Sequence, residues 1–257
     1  AEKFKKNILL GCSLCFDPIV FYGKGHWFEF VLASNEATFF LPDNVFDRAF
    51  SYYKNARYFF SVIQKNRNIT DINFAWYYLH AIEYACSAIA CLRSKPLPLR
   101  KFISELGKAC SAVSSPDIVG DTYDLILGEK DPTAYFEYFF NSWKYYFEFF
   151  NVYARNDYFC QYKPERKLYY EEPVKGFWKD NLPSAIWIMA YTWSEIGSQM
   201  KLENNEYFAA LFKMLEIHPS FYDQRKKQLD MFLDKISVKI ETWGKENGLE
   251  KDTTVIF

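Results

Sequence analysis

A chain of 257 residues with 50 % hydrophobic residues, 25 % charged residues and a formal net charge of −1 can bury a sizeable core without disulfides or metals. Aromatic content is high: 26 Phe, 20 Tyr and 7 Trp make up 21 % of the chain, while ten Gly and ten Pro fall below average usage. So few turn-formers argue against a many-stranded sandwich or barrel, and the near-neutral charge argues against a dedicated nucleic-acid binder.

Residues 1–41 read as a separate N-terminal segment. Ile19-Val20-Phe21-Tyr22 and His26-Trp27-Phe28-Glu29-Phe30-Val31-Leu32 flank Gly23-Lys24-Gly25, and the period of two through Phe28, Phe30 and Leu32 predicts a small β-hairpin. A helix from His26 to Ser34 is the rival reading. The opening Ala1-Glu2-Lys3-Phe4-Lys5-Lys6 does not read as a signal peptide, because Gly11 and Asp17 break the apolar stretch behind it.

From Pro42 the period becomes helical. Asp43 is placed to cap a helix with Phe46, Ala49, Phe50, Tyr53, Ala56, Phe60 and Ile63 on one stripe, ending at Lys65-Asn66-Arg67-Asn68. Thr70 or Asp71 starts a second helix, apolar nearly all round through Trp76, Leu79, Ile82, Ile89 and Leu92, which belongs at the centre of a bundle. Its stretch Ile72 to Leu92 is the best candidate for a membrane span. It carries Asn73, His80, Glu83 and Ser87, however, and a mid-helix carboxylate costs about 2.5–3.5 kcal/mol on insertion scales, so no span is expected.

Pro96 and Pro98 stop that helix. A third follows with Leu99, Phe102, Ile103, Leu106, Cys110 and Val113, and a short one over Ile118 to Leu127. Asp131-Pro132 is a start signal for the next. Twelve of the nineteen residues from 135 to 153 are aromatic, yet Glu137, Asn141, Lys144, Glu148 and Asn151 recur every three or four residues, which lines them along one narrow stripe of an α-helix.

Residues 155–181 mix charges, with Lys163, Glu165, Arg166, Lys167, Glu171, Glu172, Lys175 and Lys179, and predict a long exposed connection between a helical half, 42–154, and C-terminal helices, 182–257, of the same domain. Three helices are expected there: Ser184 to Met200, Glu206 to Ile217, and one capped by Ser220 and ending near Gly244. The fold expected is all-α, a bundle of seven or eight helices with a small N-terminal hairpin.

The chemistry-bearing residues are few. Cys12-Ser13-Leu14-Cys15 is the one C-x-x-C and lacks a second pair, so no metal and no cofactor is expected, although whether Cys12 and Cys15 are paired, free or metal-bound stays open. Cys86, Cys91 and Cys110 fall in apolar helical stretches as free cysteines do in a reducing cell, which points to a cytoplasmic protein. His80 and Glu83 lie three apart on the apolar central helix, where ionisable groups must be paired, hydrated or functional; the reading with more weight is a buried hydrogen-bond network reaching aromatic hydroxyls. The sequence lacks a phosphate-binding loop of the Walker type, G-x-G-x-x-G, H-E-x-x-H and G-x-S-x-G.

No enzyme pattern emerges, and the surplus of Tyr and Trp fits binding surfaces. The expectation is therefore a non-catalytic protein-binding helical protein, an inhibitor, immunity-type protein or adaptor, contacting its partner through Glu137, Asn141, Lys144, Glu148 and Asn151, with neither nucleic acid nor membrane as partner. The competing expectation is an enzyme or carrier whose internal pocket, around Tyr77, His80, Glu83 and Trp143, holds an apolar or aromatic small molecule.

Overall fold

The computed structural model describes residues 26–93, 95–128, 133–153, 166–200 and 206–249. They form α1 (Trp27–Phe39), α2 (Pro42–Lys65), α3 (Asp71–Cys91), α4 (Phe102–Ala112), α5 (Asp117–Leu127), α6 (Phe136–Tyr153), α7 (Lys167–Phe177), α8 (Leu182–Met200), α9 (Glu206–Met214) and α10 (Tyr222–Glu246), with no strand among the described residues. The all-α expectation holds. The helices outnumber the seven or eight expected by two segments read otherwise, α1 and α7.

Two nearly all-apolar helices make the centre. α3 is surrounded by α2, α4, α8 and α10, and α8 touches α3 through α7 as well as α9. An amphipathic helix needs only one neighbour, whereas one apolar all round needs a full ring of them. One contiguous core results, running from Phe46 on α2 to Ile240 on α10. Aromatic rings join its layers: Phe74 stacks on Tyr222 at 3.7 Å, Phe102 on Trp187 at 4.0 Å and Phe136 on Trp178 at 3.7 Å between centroids. No helix among the described residues is long and apolar enough to cross a membrane.

Helix starts follow local chemistry, with two corrections. α3 is capped by Thr70, whose hydroxyl accepts from the Asn73 N–H at 3.4 Å. α2 starts instead on Leu41, with Pro42 where its missing N–H costs nothing and Asp43 in the first turn, facing the positive end of the helix dipole rather than capping it. Likewise Ser220 does not cap α10: it sits in a single 3-10 turn, Pro219–Phe221, its N–H donating to His218 Nδ1 at 3.4 Å, and Phe221 occupies the cap position.

The second arm of the expected hairpin, His26 to Leu32, belongs to α1. Its alternation serves no sheet face, because Trp27 and Phe30 are exposed and burial falls at Asn35 and Phe39, four residues apart. Ala33, Glu36 and Ala37 are good helix formers and carry the helix on. Asn44 Nδ2 donates to the Thr38 carbonyl at 2.7 Å, and the Arg48 guanidinium lies 3.6 Å over the Phe39 ring, which ties α1 to α2. The first arm and the glycine turn, 19–25, lie outside the described residues, as do Cys12 and Cys15.

The exposed connection expected over 155–181 is also corrected where it is described. Residues 167–177 are α7, with Tyr170, Glu171 and Val174 buried and α8 and α6 as neighbours. The mixed charges that read as loop are helical pairs: Lys167 and Lys175 bracket Glu171 four residues to either side, with Nζ–O distances of 3.9 and 2.8 Å.

A buried arginine closes the C-terminal side. Arg225 on α10 donates to the Asp124 carbonyl at 2.8 Å, which also accepts the Gly128 N–H at 3.1 Å, to the Leu215 carbonyl at 2.9 Å and to the Glu216 carboxylate at 3.2 Å, where α5 and α9 end. Gly128, at φ +69°, ends α5 beside it; a Cβ there would stand 2.5 Å from Arg225 Nη2.

Candidate functional site

α3 and α8 meet in a polar cluster within the apolar centre. α3 supplies His80 and Glu83, one turn apart; α8 supplies Tyr191 and Glu195, also one turn apart. His80 and Glu195 are each only 7 % exposed. His80 Nε2 is 2.8 Å from Glu195 Oε1 and 3.0 Å from the Tyr191 hydroxyl, while Nδ1 is 2.8 Å from the Trp76 carbonyl. The Tyr191 hydroxyl donates to Glu83 Oε2 at 2.5 Å.

With Glu195 taken as a carboxylate, donor counting gives one proton arrangement. The Trp76 carbonyl can only accept, so Nδ1 carries hydrogen; the carboxylate of Glu195 accepts from Nε2, so that nitrogen carries hydrogen too. His80 is then an imidazolium, with the Tyr191 oxygen sharing the Nε2 hydrogen and the Tyr191 hydroxyl keeping its own proton while donating it in a hydrogen bond to Glu83. Burial by itself lowers the His80 pKa, but the hydrogen bond and charge of Glu195, the charge of Glu83 and the Trp76 carbonyl together outweigh it, and the net shift is upward. Burial raises the Glu83 pKa, and repulsion from Glu195 adds to it against the attraction of His80 and the Tyr191 hydroxyl. Aromatic walls enclose the imidazole: the Phe59, Trp76 and Tyr191 rings lie 5.2, 4.3 and 5.0 Å from it.

These contacts match the hydrogen-bond network expected for His80 and Glu83. The four residues suggested to line a pocket are not gathered, however. Tyr77 is close by, its ring 6.1 Å from Phe59, but Trp143 is buried elsewhere, against Phe140 and Phe147, with Nε1 donating to Thr192 Oγ1 at 2.9 Å. Thr192 follows Tyr191 directly, and one residue along a helix turns the side chain by about 100°. Sequence reading missed Tyr191 and Glu195. One signal was present: Glu195 is the sole charged residue of α8, and a tyrosine stands four residues before it. No group of three or more His, Cys, Asp or Glu among the described residues is arranged to hold a metal ion.

Cys86, Cys91 and Cys110 are buried, and burial pushes the Cys110 thiol up to about 12, which leaves it unreactive.

α6 forms the second candidate. Phe136, Phe139, Phe140, Trp143 and Phe147 face the core, while Glu137 and Asn141 are exposed between Tyr135, Tyr138 and Tyr145, whose exposure lies between 49 % and 59 %. Lys144 is half-buried, its Nζ 4.5 Å from the Phe140 ring centroid. The side chains of Glu148 and Asn151 lie outside the described residues, so the expected Lys144–Glu148 pair does as well. Tyr138 leads onto α9, its ring 5.8 Å from that of Tyr207.

Comparison with known proteins gives no match to a family model, to a curated protein or to a solved structure.

Proposed function

We propose that this chain is a non-catalytic protein-binding protein of the cytoplasm, in the class of inhibitors, immunity-type proteins and adaptors, and that it meets its partner through the solvent side of α6. The observation that carries this reading is the row of exposed tyrosines, Tyr135 just before α6 and Tyr138 and Tyr145 on it, set beside Glu137 and Asn141, while Phe136, Phe139, Phe140, Trp143 and Phe147 of the same helix are buried. Tyrosine offers large contact area with a polar tip and few rotatable bonds, which makes it a frequent anchor at interfaces. Lys144, Glu148 and Asn151 continue the polar stripe in sequence. Buried thiols at Cys86, Cys91 and Cys110 fit a reducing compartment.

The network at His80 favours this reading over a catalytic or carrier pocket, because its hydrogen-bonding groups are spent on one another and Trp143 is turned to a different neighbour. The test is affinity capture from the cells that make the protein, comparing wild type with Glu137→Lys. A partner held by the wild type is lost by the variant while the melting temperature stays within about one degree, as expected of an exposed substitution. A partner retained equally by the variant, or a chromophore or metal bound stoichiometrically to the purified protein, overturns the proposal.

A further inference from the structure

A groove of about 770 Å³ lies between the end of α3, the loop that follows it, α4 and α7. Tyr169, Pro173 and Phe177 recur every four residues and form one wall from a single side of α7. Ala109 and Ala112 of α4 face them, and Ala90 and Leu97 lie at the α3 end. Five cations rim these apolar surfaces, Arg93, Lys95, Arg100, Lys101 and Lys108, against one carboxylate, Glu105.

That imbalance stands out in a chain of net charge −1. Several cations elsewhere are neutralised by carboxylates from other segments: Arg57 by Asp230 and Asp234, Lys235 by Asp117 and Asp121, Arg225 by Glu216. At the groove Lys108 pairs with Glu105 at 2.9 Å, but among the described residues no carboxylate is paired with Arg93, Arg100 or Lys101. Arg100 Nε is moreover a buried donor with no hydrogen-bond partner.

We propose that this groove binds an extended, acidic peptide segment of a partner protein. Length favours a chain over a small anion: Lys101 and Lys108 are seven residues apart along the helix, about 10 Å, which three residues of extended peptide also span. Apolar walls accept the side chains between the acids, and Arg forks suit carboxylates. Single-stranded nucleic acid fits less well, because it needs open ring faces for base stacking. The Tyr169 ring instead has the Arg100 guanidinium over one face at 3.9 Å and Tyr170 against it edge-on at 5.0 Å. The inference does not rest on the α6 surface, which is built from other helices.

A library of random twelve-residue peptides selected on the intact chain tests it. Selected peptides are expected to carry Asp or Glu spaced by apolar residues, to bind the Glu137→Lys variant as they bind wild type, and to bind the Arg93→Glu, Lys101→Glu double variant at least tenfold more weakly. Both substituted residues are exposed, so the double variant should melt with the wild type. The proposal is overturned if selection yields no acidic consensus, if the double variant binds equally well, or if oligouridylate or inorganic phosphate displaces the peptides at lower concentration than the free peptide does. Loss of binding in Glu137→Lys alone would assign the peptides to α6 and likewise remove the groove from consideration.

Discussion

His80 on α3 and Glu195 on α8 hold each other at 2.8 Å, Nε2 to Oε1, between two nearly all-apolar helices at the centre of the bundle. A buried pair of this kind contributes little net stability against an apolar replacement, yet leaving one partner unpaired costs several kcal/mol. Its geometry also locks the register of α3 against α8, since a one-turn slip would move His80 away from both Glu195 and Tyr191.

The pH dependence of stability follows from the direction of the shifts. His80 has its folded pKa above the ordinary 6.5, so its contribution is complete below pH 6.5 and is lost as pH rises through the folded value. Glu83 also has a raised pKa, so the folded state favours its protonated form; that contribution is complete below about pH 4.5 and is lost as pH rises beyond it. Both make stability fall with rising pH. Urea unfolding at stepped pH should show the decline above pH 6.5 flattened in His80→Gln, and the lower part of the decline flattened in Glu83→Gln. A His80→Gln profile parallel to wild type above pH 6.5 would mean that His80 is not charged in the fold.

His80→Ala tests the same network by removal. Loss of a buried hydrogen-bond partner costs about 1–3 kcal/mol, and leaving the Glu195 charge buried without its partner brings the cost to about 3–5 kcal/mol. Chemical denaturation should therefore show destabilisation of more than about 1 kcal/mol, and a neutral result would contradict the enclosed position of the imidazole.

Trp143 and Thr192 provide a second check on the core. Thr192→Val keeps the shape of the side chain but removes the acceptor at 2.9 Å from the indole Nε1, and is expected to cost about 1–3 kcal/mol in denaturant unfolding. A loss under about 0.5 kcal/mol would show that the indole N–H finds another acceptor.

Two glycines should respond in opposite senses to alanine. A Cβ on Gly197 of α8 would stand 2.5 Å from Ile72 Cδ1 and 2.6 Å from Phe208 Cε1, so Gly197→Ala is expected to destabilise by about 1–3 kcal/mol despite its better helix propensity. Gly120 of α5 has nothing within 4 Å of that position, and Gly120→Ala should raise stability by up to about 1 kcal/mol. Thermal melts of the two variants side by side would reveal any failure of the close approach among α3, α8 and α9.

Helical class, the order of most elements and the apolar side of α2, α4, α6 and α10 were legible in the sequence, because each depends on the 3.6-residue period and on chemistry a few residues away: Thr70 before Asn73, Glu137 and Asn141 in step among rings. α1 and α7 were misread for the same reason seen from the other side. The Phe28–Phe30–Leu32 alternation suits a strand until solvent is known to cover Trp27 and Phe30, and the charges around Glu171 look like loop until Lys167 and Lys175 close on it at i±4. His80 and Glu83 announced a buried network, but its completion by Tyr191 and Glu195 comes from a helix more than a hundred residues along the chain. Local periodicity fixes which side of a helix turns inward. Which helix it turns toward, and so which acid answers His80 and which cations at the α3–α4–α7 groove stay without one, is decided only when all the apolar surfaces are packed at once.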